Sequence, residues 1–489
     1  MRRVRGGKVG SVEWMQQRLP VFYLVFALVL TTVMCWVTAP FFGPDEPSQS
    51  LRALALLEGD LLPERGANEA GAEVDTGALR AMDGMDAIRM RWEKQSPDFH
   101  DRAYGPVTAS SQAQWAGVRW SGKKRFAGFG NTATYPPGLY FPAIVGWRIA
   151  QEAKLTVFAS LRLVRWLTAL IAALVGWLAL RWAGSAVWSL LAALLLPSAL
   201  FLQATGSQDA LMMPAAAVAV AVVWRALSER RELTRPELIV AAVPFALCAM
   251  AKPPYVTLGL LMFVPAAEFG PRGWERWRRP AISFALVAAA SASWWCSVAR
   301  FGFDTADEAD PVRQMAFLRA HPINAALAVG RGTANAAWDF VHRGLYVVGW
   351  NDLLPHHGAA LVLSACLLAV ALSAPRVGVR SWVARTLMMI AVIVPLVMIS
   401  AAEYVIWTPP GLATVYGVQP RYWLPVLPAM MLLATGWRAP RAGGSGGRRD
   451  WLLTAAVIVM ACVACTLPWM AGRAFYRAGL IETVRINLH

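Results

Sequence analysis

The chain is short of charge. Only 16% of its 489 residues are Asp, Glu, Lys or Arg, where soluble domains carry roughly 25%. That deficit excludes a soluble enzyme and a disordered chain. Glycine loops that cradle nucleotides are missing, with no G-x-G-x-x-G and no P-loop, so nothing predicts a soluble nucleotide-binding domain. Cysteine is sparse as well. All six (Cys35, Cys248, Cys296, Cys366, Cys462, Cys465) lie in apolar stretches, which excludes a disulfide-stapled module. Cys462 and Cys465 make a CxxC by count alone; without polar neighbours or a second pair they read as membrane packing, not as a metal or redox site. No internal repeat stands out, and the first apolar run lacks an A-x-A-like cleavage site, so it reads as a retained span.

What is present is apolar: 57% hydrophobic residues and 23 Trp, with a mean hydropathy of +0.44. A membrane helix needs about 20 such residues. Clear candidates are 20–40, 160–181, 186–202, 210–227, 281–300, 357–374, 382–402, 420–437 and 451–470. Residues 136–150 are short and proline-broken, and 237–268 are either one kinked helix or two short ones meeting at Ala251-Lys252-Pro253-Pro254-Tyr255.

Charge decides between these readings. The balance of 46 Lys+Arg against 30 Asp+Glu gives +16, and the arginines gather in the short stretches MRRVRGGKVG, RALSERRELTR, PRGWERWRRP, PRVGVR and RAPRAGGSGGRRD. Such loops stay cytoplasmic, so the basic excess signals membrane orientation and not nucleic acid. All five share one side only if 136–150 do not cross and 237–268 cross twice. The expectation is an all-α polytopic membrane protein of about eleven transmembrane helices, N-terminus inside and C-terminus outside. Residues 1–437 then form one transmembrane unit, 438–450 a cytoplasmic linker, and 451–489 a final span with an external tail.

Two long external segments follow, 41–135 and 301–356. The first opens with Pro44-Asp45-Glu46-Pro47 and a run, SQSLRALALLEG, whose apolar residues recur at helical spacing. Pro47 suits the first helical position and an acid suits the cap, so an amphipathic helix on the outer membrane surface is expected. The Gly/Ala/Asp-rich GANEAGAEVDTGALRAMDG after it reads as a mobile loop.

On that topology the unusual polar residues converge on the external side. Asp45 and Glu46 follow the first span, Tyr135 ends the long loop, and Asp209 opens the fourth span after Ser207 and Gln208. Lys252 and Tyr255 lie at the turn between the short spans. Asp352 closes the second loop after Trp350 and Asn351, and Gln419, Arg421 and Tyr422 begin the tenth span. Each has a plain structural alternative: Asp45, Glu46 or Asp209 as a helix cap, Lys252 and Arg421 as side chains reaching for headgroups, Asp352 as an ordinary loop residue. His356 and His357 are adjacent, so their side chains diverge and share no metal. Together the set is more telling, because ionisable groups recur at one boundary while the spans stay almost uncharged. An external carboxylate beside cations suits sugar transfer from a polyprenyl-phosphate carrier. The acceptor hydroxyl needs a base, the leaving phosphate needs positive charge, and the lipid tail needs an apolar groove. A divalent cation is an option if Asp45, Asp209 and Asp352 converge.

The motifs FFGPDEPSQSLRALALLEGDLLP, TYPPGLYFPAIVGW, SQDALMMP, AKPPY, GLYVVGWNDLLP and VYGVQPRYWLPVLPAMMLL, in this order over about residues 20–437, resemble the domain-of-unknown-function family numbered 2142, polytopic bacterial membrane proteins related to the GT-C glycosyltransferases. The resemblance implies an inner-membrane transferase with an external site and an acid in its first external loop. Asp45 matches that acid by position, with Glu46 the near alternative, and Asp209 sits where such enzymes often carry a second. It implies a Pro-Pro-aromatic helix laid against the membrane before the second span, as the charge parity at 136–150 also requires. Carrier-phosphate binding carries over more loosely to Arg421 and Lys252. Pro420 departs from the glycine usual before the late arginine.

The expected function is an integral membrane glycosyltransferase. Its partners are a polyprenyl-phosphate-linked sugar, a cell-envelope glycan or glycolipid acceptor, and membrane lipid. A flippase of lipid-linked glycan would instead carry charges near mid-span, and a non-catalytic assembly protein would tolerate loss of Asp45. The topology predicts that a membrane-impermeant thiol reagent labels cysteines introduced at residues 45 and 421 from the same, non-cytoplasmic side. Labelling from opposite sides contradicts it.

Overall fold

A backbone in hydrocarbon finds no water to pair with, so a chain this apolar must satisfy its hydrogen bonds within helices. The structure, a computed structural model, describes residues 9–66, 69–93, 107–271, 273–301, 308–349, 357–437, 446–476, 479–481 and 483. α1 (Val9–Val37) leads into the first long loop. That loop holds α2 (Glu46–Glu58), β1 (Glu64–Arg65), β2 (Ala70–Asp75), α3 (Thr76–Glu93), α4 (Ala109–Ala116), β3 (Lys124–Gly128) and α5 (Gly130–Ala133), followed by α6 (Phe141–Glu152). Next come α7 (Val157–Trp182), α8 (Val187–Leu194), α9 (Pro197–Gln203), α10 (Asp209–Ser228), α11 (Arg235–Ala251), α12 (Val264–Phe269) and α13 (Glu275–Val298). The rest of the chain forms α14 (Pro311–Ala320), α15 (Pro322–His342), α16 (His357–Ser373), α17 (Trp382–Ile406), α18 (Leu427–Gly436), α19 (Gly446–Ala464) and α20 (Leu467–Tyr476).

Among the described residues, six helices are long and apolar enough to cross a membrane, or seven if the bent pair α8–α9 is one span. α10 is the central post, with 94% of its apolar window buried. Its run of Ala and Val gives neighbours a slim surface, and α7 and α11 pack directly on it. Around it the polarity is that of a lipid-solvated body: Val25, Val29, Ile282, Leu286, Leu368 and Ile458 are all more than half exposed, which no soluble surface would sustain.

Several expectations need correction. The span expected at 186–202 is two helices bent by 79°, because Pro197 opens the second and cannot continue the hydrogen-bond ladder of the first. Between α11 and α12, residues Pro253–Phe263 form a 3₁₀ helix. A 3₁₀ turn rises about 2.0 Å per residue against 1.5 Å for an α-helix, so residues 253–269 reach about 30 Å, the thickness of a hydrocarbon layer. Pro420–Val426 repeat that device ahead of α18. The segment 41–135 is not loose among its described residues. β2 pairs antiparallel with β1 and β3, and the stretch expected as a mobile loop supplies β2 and the first half of α3. Ala and Gly carried no strand signal there, and the partner β3 lies some fifty residues away with no hairpin turn between. α2 is not a surface helix either: Leu51, Arg52, Ala53, Leu54 and Ala55 are all buried, packed on α6 and under the sheet. Within the segment 301–356, residues 311–342 are helical as α14 and α15, and α19 already begins within the expected linker.

Close helix approach depends on small residues. A Cβ at Gly176 of α7 would sit 2.5 Å from the Tyr23 hydroxyl of α1. Gly176→Val is expected to lower stability by about 1–3 kcal/mol through overpacking, read as an earlier thermal transition in detergent. A comparable change at Gly117, whose Cβ meets nothing within 4 Å, should have little effect.

Candidate functional site

The turn after α1 sets the site. Phe41 and Asp45 both hold left-handed backbone, with Asp45 at φ 51° and ψ 20°, a conformation that costs a non-glycine residue about 1 kcal/mol or more. Asp45 occupies the N-cap position of α2, but its side chain makes no capping bond. The carboxylate turns away and its Oδ2 meets Arg421 Nη2. Asp209, the first residue of α10, brings its Oδ2 to 3.6 Å from Arg421 Nε. Three points remote in sequence therefore meet at one guanidinium, whose side chain is only 5% exposed.

Arg421 has donors to spare. Nε and Nη1 are buried without a hydrogen-bond partner, and the Nη1-bearing side chain borders a narrow cavity of ≈ 10 Å³ shared with Pro44, Ser198, Phe201, Gly344 and Val347. Such a space holds about one water. A buried donor left unmade costs about 1–3 kcal/mol, so this guanidinium is built to receive an acceptor atom.

A second cation stands beside it. Lys252 Nζ lies 3.8 Å from the centre of the Tyr422 ring and 3.4 Å from the Tyr135 hydroxyl. Tyr255 donates its hydroxyl to the Tyr422 carbonyl at 2.6 Å, so it fixes the backbone next to Arg421 and does not face a ligand. Gln419 caps the 3₁₀ helix, its carbonyl accepting from Tyr422 N at 3.0 Å. Pro420 starts that helix and packs on Gly344, where a Cβ would lie 2.5 Å from the ring; the proline fixes the entry that aims Arg421. Burial, then the carboxylates of Asp209 and Asp45, push the Tyr135 phenol well above its usual range. It stays neutral and can only exchange hydrogen bonds.

Glu46 is set apart from this group. It is fully buried and paired with Arg165 of α7, Nε to Oε1 at 2.8 Å, and it also accepts from Gly43 N at 3.1 Å and Gly206 N at 3.3 Å. Arg165 in turn donates to the carbonyls of Thr38 (2.7 Å) and Ala39 (2.9 Å) at the end of α1. This closed knot ties the Asp45 turn to the loop that carries Asp209. Glu46 is therefore a strut of this turn, with both carboxylate oxygens held by Arg165. Asp352, with Trp350, Asn351 and His356, lies outside the described residues. Among the described residues no three His, Cys, Asp or Glu side chains converge as metal ligands; Asp45 and Asp209 face a guanidinium instead.

Sequence reading missed three residues. Arg165 lies within the expected span 160–181 and was given no role. Arg52, inside α2, donates to the carbonyls of Tyr135, Asp60 and Leu61 at 2.9–3.1 Å and so holds Tyr135 in place. Glu403, near the end of α17, feels the charges of Lys252, Arg421 and Asp45. The available signal for it was the single acid of α17, a helix whose other charge is Arg385 in its first turn. A larger cleft of ≈ 420 Å³ lies within residues 76–121, lined by Thr76, Arg80, Gln114, Arg119 and Ser121, with no carboxylate in its lining.

The family model described as "Predicted membrane protein (DUF2142)" matches residues 26–430. No curated protein and no solved structure gives a match.

Removing one member of a buried ion pair leaves the other uncompensated. Glu46→Ala is expected to cost about 3–5 kcal/mol, seen as lost folded protein in membranes, whereas Glu46→Ala combined with Arg165→Met should recover much of it. Equal yields of the single and double variants would contradict the strut.

Proposed function

We propose a function for this chain, which belongs to the DUF2142 family of membrane proteins, from its own geometry. It is an integral membrane glycosyltransferase that moves a sugar from a polyprenyl-phosphate carrier to a cell-envelope glycan or glycolipid. The observation that carries this reading is the shared guanidinium: Arg421 holds Asp45 with one nitrogen and leaves two buried donors without a hydrogen bond, one of them 3.6 Å from Asp209. A phosphate oxygen at those donors sits beside the carboxylate, so base and leaving group are held by one side chain.

In this mechanism Asp45 accepts the proton of the acceptor hydroxyl as its oxygen attacks the anomeric carbon from the face opposite the phosphate. The glycosidic bond forms as the bond to the phosphate oxygen breaks, with inversion. Arg421 and Lys252 stabilise the charge that develops on the departing phosphate. Asp209 fixes the other edge of the guanidinium or orients the acceptor. Neutral Tyr135 supplies a hydrogen bond to sugar or phosphate. The mechanism needs the site at the outer boundary of a bilayer, where the carrier's tail lies along the apolar helices. We place the chain in the bacterial inner membrane, N-terminus cytoplasmic, with about eleven crossings in a GT-C-like arrangement and the site facing the periplasm. Two features support that count. Charge parity across the arginine-rich loops requires it, and the two 3₁₀ stretches let short segments reach across.

The expected result for Asp45→Asn, an isosteric change that keeps a hydrogen-bonding partner for Arg421, is loss of transfer by 10²-fold or more, of the order general-base catalysis contributes. The assay uses lipid-linked sugars extracted from the envelope, on protein that inserts and melts like the parent. Near-parental transfer by that variant removes the base assignment.

A further inference from the structure

One group at the site has no part in the mechanism above. Glu403 comes from the last turns of α17, and its Oε2 is buried with no hydrogen-bond partner. Gly417, at φ +86°, closes over it so tightly that a Cβ there would lie 2.8 Å from that oxygen. Among the described residues Glu403 makes no ion pair. The charges that act on it are Lys252 from the end of α11, Arg421 from the 3₁₀ helix before α18, and Asp45 from the turn into α2. Tyr422 and Tyr135 feel its charge in return. No described charge on α12, α14, α15 or α18, which also pack on α17, acts on it.

The charge balance of this pocket is unfavourable for an anion. Asp45, Asp209 and Glu403 stand against Arg421 and Lys252, three carboxylates to two cations, and a phosphate adds at least one more negative charge. In a poorly solvated site that excess is costly. Asp45 and Asp209 each face Arg421; Glu403 alone among the three has no cation in contact. The balance is restored most simply at that carboxyl, because a protonated acid also gains a donor for a phosphate oxygen.

We propose that binding a phosphate-bearing lipid at Arg421 and Lys252 is coupled to the uptake of one proton by Glu403. This rests on the glycosyltransferase reading, and it makes carrier affinity dependent on the pH outside the membrane. The sign follows from linkage. The bound anion favours the neutral acid, so the complex holds more protons than the free protein, and affinity is full at low pH and falls as pH rises through the titration of free Glu403. Release of the carrier phosphate after transfer returns the proton.

The test uses the full chain in lipid nanodiscs and farnesyl methyl phosphate, a diester whose single charge is constant between about pH 6 and 9, so any pH dependence belongs to the protein. Affinity of the parent should fall with rising pH, approaching about tenfold per unit at the alkaline end, while Glu403→Gln binds with a flat profile. Calorimetry of the parent in two buffers of different ionisation enthalpy should show close to one proton taken up where the slope is steepest, a reading that does not depend on the variant folding. Binding that is independent of pH, or a slope that persists in Glu403→Gln, overturns the proton coupling and leaves the transferase reading standing. No binding of the diester at any pH overturns both.

Discussion

The site depends on one guanidinium serving two carboxylates. Arg421 and Asp45 are 376 positions apart in sequence, and among the described residues the ion pairs of Arg421 are with Asp45 and Asp209. Desolvating an arginine is costly enough that the fold must deliver both acids to it. The left-handed turn at Asp45, the start of α10 at Asp209 and the proline-led 3₁₀ helix at Pro420 each serve that delivery. The unspent Nε and Nη1 donors then turn an internal contact into a place for a ligand.

That arrangement needs a rigid support, and the Glu46–Arg165 knot provides one. It satisfies the carbonyls left open at the end of α1, the amide of Gly43 and the amide of Gly206. Adjacent acids therefore do different work. Glu46 points inward to hold the turn, and Asp45, one residue earlier and with inverted φ, points to the pocket. A one-residue shift would exchange these roles, which is why the sequence PDEP alone leaves the choice between them open.

The all-α membrane body was legible in the sequence, because spans announce themselves by length and apolarity. The polar set at Asp45, Asp209, Lys252 and Arg421 was legible for the same reason: charge at the edge of hydrocarbon is conspicuous. What stayed hidden depends on long-range pairing. The strand Ala70–Asp75 is made of small residues and finds β3 only after α3 and α4 have passed. The kink at Pro197 and the 3₁₀ stretches are backbone choices that periodicity does not register. Tyr255 looked like a ligand contact and instead braces Tyr422. Arg165 carries no local pattern at all, and Glu403 only that of a single acid in an apolar helix; their neighbours in space give them meaning.

The most direct measurement is cross-linking in native membranes of the double variant Asp45→Cys, Arg421→Cys with a short bifunctional thiol reagent, read by peptide mass spectrometry. Joined peptides from the two ends of the chain are expected, blocked when either cysteine is omitted. If both thiols react singly and no joined peptide forms, the turn before α2 and the 3₁₀ helix before α18 do not share a pocket, and the account of this site fails.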